Sequence, residues 1–78
     1  MNWQIEKIIE VANQLQHTGS TGASIGERIA AAFVLNEPKY LPCMYTDIVE
    51  AWDRLDDDWQ AYVRLIKRQH MHLIHKAE

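Results

Sequence analysis

Residues able to do chemistry gather in four places along this chain. His70, His72 and His75 fall within six residues, and Cys43 is the single thiol. His72 and His75 stand three apart, so a helix would present both on one side, and an imidazole pair of that kind can bind zinc. His70 points toward a different side, and a structural zinc site needs four ligands, so no metal or other cofactor is expected. The plainer role for these histidines is cationic charge in the last turn of a helix, where the dipole favours it.

The second group is acidic: Asp47, Glu50, Asp53, Asp56, Asp57 and Asp58. Paired carboxylates can do acid–base work or hold magnesium. Nothing in the sequence places a nucleophile or partner base beside them, and several fit helix starts, which attract negative charge. The third group is Gly19, Ser20, Thr21, Gly22 and Ser24, just ahead of a helix. Free N–H groups at a helix start can bind phosphate. This loop lacks the lysine of a nucleotide-binding P-loop and has no G-x-G-x-x-G pattern, so a linker ending in an N-cap is the expectation. On these grounds the chain is expected not to be an enzyme.

The fourth group is basic: Arg64, Lys67, Arg68, His72, His75 and Lys76. Arg64, Arg68, His72 and His75 recur at i, i+4, i+8 and i+11, which is one stripe of a helix. Such a stripe suits phosphates or an acidic partner, unless it is merely solvated or paired with the preceding acids. Charge is segregated, with acids at 47–58 and bases at 64–76, so two copies can pair head to tail. A neighbouring stretch, Tyr40, Leu41, Met44 and Tyr45 with Trp52, reads either as an aromatic, Met-containing contact patch or as a cover for the core.

The elements that must carry these groups are helical. Residues 3–17 form the first expected helix, with Ile5, Ile8, Ile9, Ala12 and Leu15 on one face. Gly19 fits its C′ position, and Trp3 is expected to clamp its start. The second helix, 25–35, begins with a capping box of Ser24 and Glu27. It then carries seven apolar residues, Ile29 to Leu35, and a helix that apolar belongs at the centre of a bundle. Gly26 in its first turn suggests close packing against another backbone. Residues 36–45 form a Pro-containing loop expected to wrap the core. The third helix, 47–55, is expected to start at Thr46 and to bury Ile48, Trp52 and Leu55 with Val49 and Ala51 beside them. Asp57 and Gln60 suggest a second capping box, opening a fourth helix over 58–76; one bent helix over 47–76 is the alternative. Nineteen residues reach about 28 Å, so the last turns are expected to project.

The expected architecture is all-α: one small domain of 78 residues and four helices with a long ordered loop. A chain this short buries only about 60% of its unfolded surface, so dimerisation would add useful support. The net charge of −3 argues against bulk attraction to nucleic acid. The lone cysteine fits a reducing compartment. No apolar run approaches the roughly 20 residues of a membrane span, and no signal peptide is evident, so a cytoplasmic location is expected. The leading expectation is a small regulatory module that binds a protein partner, or a second copy of itself, through Arg64, Lys67, Arg68, His72, His75, Tyr40, Met44 and Tyr45. A nucleic-acid accessory role for the basic stripe is the alternative. The acidic junction between the third and fourth helices disfavours that alternative, because it would repel a phosphate backbone.

Overall fold

A computed structural model describes residues 2–75. The described residues form four α-helices and no strand: α1 (Trp3–Thr18), α2 (Ile25–Leu35), α3 (Ile48–Asp53) and α4 (Asp57–Leu65). A 3₁₀ turn, Pro38–Tyr40, lies between α2 and α3. After α4 the chain passes through a π turn, Ile66–His70, and a 3₁₀ turn, Met71–Leu73. No helix among the described residues is long and apolar enough to cross a membrane.

Helices α1 and α2 are delimited by their own sequence. The Asn2 side chain accepts the Ile5 N–H at 2.9 Å and starts α1. Gly19 ends it with φ 76°, a left-handed conformation open to glycine, and donates its N–H to the Leu15 carbonyl. Both arms of the Ser24–Glu27 capping box are formed. Asn36 ends α2 at φ 56°, donating to the Ala32 and Phe33 carbonyls.

Helix α2 is the centre. Ile29, Ala30, Ala31 and Val34 are buried, and the helix packs on α1, α4 and the Pro38–Tyr40 turn. The alanines let these neighbours approach closely, so larger side chains fill the space from outside. Ile5, Ile8, Val11, Ala12 and Leu15 come from α1, and Val63, Ile66 and Ile74 from the C-terminal part. Burial of one such aliphatic side chain contributes about 1.5–3 kcal/mol. Leu41, Tyr40 and Tyr45 pack against this core, and Pro42 is buried, so the 36–45 loop does wrap it.

The second half departs from expectation at several points. Asp47, not Thr46, caps α3 by accepting the Val49 N–H. Helix α3 is six residues long, ending at Asp53 rather than residue 55. Only its Ala51 is fully buried; Ile48 and Val49 are exposed. The chain breaks at residues 54–56, which rules out one bent helix over 47–76. Asp56, not Asp57, caps α4, and Gln60 turns back to donate to the Trp52 and Leu55 carbonyls. Gln60 thus ties α4 to the Trp52 carbonyl of α3 and to the Leu55 carbonyl of the break after it, instead of closing a box on α4.

The fourth helix also does not run straight to residue 76. Regular α-helix ends at Leu65, and the π and 3₁₀ turns bring the chain back onto α1. There the Asn13 side chain donates to the Leu73 carbonyl at 3.1 Å and accepts the His75 N–H at 2.7 Å. Ile74 is buried behind this clamp, so the end folds inward rather than projecting. Two smaller expectations also fall. Trp3 is 64% exposed and clamps nothing, and a Cβ on Gly26 would meet nothing within 4 Å.

Candidate functional site

The capping and loop residues are committed to holding the fold. The Glu27 N–H donates to Ser24 Oγ and the Ser24 N–H to Glu27 Oε1, so a carboxylate already sits at that end of α2. In the loop before it, Thr18 Oγ1 donates to Gln14 O, and Thr21 Oγ1 donates to Gln14 Oε1. The Thr21 hydroxyl also accepts the Ala23 N–H. Two of the acids, Asp47 and Asp56, act as N-caps, and Asp57 and Asp58 lie in the first turn of α4. Among the described residues no group of three His, Cys, Asp or Glu side chains is arranged to hold a metal. Cys43 is exposed.

The basic residues divide into two places. The π turn inserts an extra residue into the helical rise, so Arg64, Arg68, His72 and His75 do not form one stripe. His75 lies against His17 of α1, ring centroids 6.1 Å apart. His72 is exposed beside His70, at 6.3 Å. Lys76 lies outside the described residues. Arg64, Lys67 and Arg68 remain together near Trp52 and the end of α2. The Arg64 guanidinium sits over the Trp52 ring at 5.4 Å. Lys67 Nζ donates to the Phe33 carbonyl at 2.9 Å, a cation closing the C-terminal end of α2. Arg68 lines a shallow hollow with Ala61, Arg64, Leu65 and Gln69.

The loop residues divide as well. Tyr40 and Tyr45 are half-buried on the core. The Tyr40 carbonyl accepts Arg28 Nε at 2.8 Å, and Lys39 lies over its ring. Met44 is turned outward and 61% exposed. Just beyond it, Ile48 is 50% and Val49 62% exposed.

Phe33 joins these parts. Its ring meets Trp52 edge-on at 5.0 Å, and its carbonyl holds Lys67. It also lines a mostly apolar hollow with Ala32, Pro38, Leu41 and Ile48, closed by Asn36 and Glu37. That hollow holds about 10 Å³ of free space, no more than one water needs, so it is a surface dimple rather than a ligand pocket. The surface therefore runs from Val49 through Ile48, Phe33 and Trp52 to Arg64, Lys67 and Arg68, with Met44 exposed on the preceding loop. Helical spacing alone assigned Ile48, Val49 and Phe33 to the core. The signal that separates Val49 is the phase of α3: Ala51 and Leu55, four apart, mark its inner side, and Val49 lies about 200° from Ala51 at 100° per residue.

Among the described residues the only ion pair is Lys7–Glu10, at 3.9 Å. None of the acids at 47–58 pairs with Arg64, Lys67 or Arg68. No family model, curated protein or solved structure gives a significant match to this chain.

Proposed function

We propose that this protein is a small non-enzymatic interaction module that binds a macromolecular partner, foremost another protein, across the surface centred on Phe33. The observation supporting this reading is the union of two features. Exposed aliphatic groups at Ile48 and Val49, on the same helix as Trp52, adjoin three basic side chains with no carboxylate partner among the described residues, and Met44 is exposed on the loop before them. Apolar groups of that size gain free energy when covered, at about 25 cal/mol per Å². The adjoining charges add orientation and speed of encounter. Methionine, tryptophan and arginine are residues that interfaces favour.

The test is affinity capture from the source cell with wild-type protein and with Ile48→Asp, each with and without nuclease. Ile48 is half exposed, so the substitution should leave the fold intact, as checked by circular dichroism. A protein captured by wild type, resistant to nuclease and lost with Ile48→Asp is the expected result. Capture unaffected by the substitution would remove this surface. Recovery that vanishes with nuclease would transfer the function to nucleic acid and to Arg64, Lys67 and Arg68, whose binding would then weaken steeply with salt.

A further inference from the structure

The order of side chains around α3 carries the proposed surface further. Successive residues of a helix turn by about 100°. With Ala51 pointing inward, the exposed part of α3 reads Trp52, then Val49 and Asp53, then Glu50. Arg64, Lys67 and Arg68 of the α4 region lie beyond Trp52, because Arg64 covers its ring. Arg54 is further round than Glu50, at a separate hollow with Gly26, Asp56 and Trp59. An apolar strip of Ile48, Val49 and Trp52 is thus flanked by carboxylates on one side and cations on the other.

We infer that this strip is the seat of a second copy of the same chain, related by a twofold axis running along it. The inference rests on the interaction reading above and names its first occupant. A twofold axis brings each patch onto its own image. Apolar strip then meets apolar strip, Glu50 and Asp53 of one copy face Arg64 and Arg68 of the other, and the same contact repeats on the other side. A surface with one sign of charge would repel its image, whereas this arrangement is self-complementary. No carboxylate at 47–58 is engaged with these bases inside one chain, so both sets are available across the axis. A stable dimer needs about 800 Å² from each copy, a modest part of the 4881 Å² that the chain exposes.

Sedimentation equilibrium over a wide concentration range tests this with two charge-reversed proteins. One carries Glu50→Lys and Asp53→Lys; the other carries Arg64→Glu and Arg68→Glu. Wild type should dimerise, each variant alone should dimerise at least about tenfold more weakly, and an equimolar mixture should recover wild-type association as a heterodimer. Circular dichroism of each variant confirms that the fold is retained. Recovery on mixing is the decisive result, since a variant that had lost its fold would not supply it. A wild-type protein that stays monomeric, variants that dimerise as well as wild type, or a mixture that remains monomeric would each overturn the second-copy assignment. Capture of a different protein through Ile48 could still stand in those cases, so the two readings fail separately.

Discussion

Helices α1 and α2 and the chain from Ile48 to His75 are finished in different ways. Asn2, Gly19, Ser24 with Glu27, and Asn36 close the first two helices with hydrogen bonds that span only a few residues. The later elements are short; Asp47 and Asp56 cap the starts of α3 and α4 locally, but the chain after those starts is held by partners brought from other elements. Gln60 of α4 donates to the Trp52 carbonyl of α3 and the Leu55 carbonyl just after it. Asn13 of α1 holds Leu73 and His75 from 60 and 62 positions away. Lys67 returns the service to α2 at the Phe33 carbonyl. The second half also carries the exposed Met44, Ile48 and Val49. The difference teaches that two locally capped helices support a part fixed by longer-range contacts, and that most of the proposed contact surface, Phe33 of α2 excepted, lies on the latter. Short elements with few fully buried side chains are the ones that open most readily.

Substitutions sharpen that contrast. The largest effect is expected at the centre of the two locally capped helices. Ala31→Asp places an unpaired carboxylate where the side chain is fully buried. Its cost, on the order of 5 kcal/mol, rivals the stability of a small domain. The variant should therefore lose its cooperative melting transition by circular dichroism. A melting temperature close to wild type would remove α2 from the centre of the fold.

Asn13→Ala comes next. It removes one donor and one acceptor from the C-terminal clamp, at about 1–3 kcal/mol. The loss should be local: amide exchange at His75 should quicken while α1 and α2 keep their protection. Equal loss of protection everywhere would mean that the two regions unfold as one cooperative unit. The smallest effects come from caps. Ser24→Ala should cost about 1 kcal/mol and fray only the first turn of α2. Gln60→Ala leaves the Trp52 and Leu55 carbonyls without their side-chain donor, at about 0.5–1.5 kcal/mol. Its amide shifts in NMR spectra should spread across α3, a separate element from the substituted one. Shifts confined to α4 would show that α3 is fixed without it.

The legibility of this molecule follows the range of the forces involved. The helical class, the span of α2, the wrap of the 36–45 loop and the break near Asp56 were all readable. Each rests on residues within a few positions of one another: a cap and its N–H, a glycine at positive φ, prolines barred from a helix, apolar residues at helical spacing. The competition among neighbouring caps was not readable. Thr46 and Asp47, or Asp56 and Asp57, are each chemically competent, and the choice depended on where α3 and α4 had to stand against α2. The candidate surface was half legible. Arg64, Lys67, Arg68 and Met44 could be named, but the meeting of the bases at Phe33 and Trp52 depends on contacts across 34 positions for Lys67.

Local hydrogen bonding and apolar periodicity thus sufficed for what α1 and α2 are, because a helix end is satisfied within one turn. Packing alone decided that Ile48 and Val49 face outward, that Gln60 reaches back to α3, and that the chain after Leu65 leaves the α-helical path for Asn13. In each case several arrangements were equally good locally. The arrangement adopted is the one that buries Ile66 and Ile74 against α1 and α2 and leaves, among the described residues, no buried side-chain polar atom without a partner.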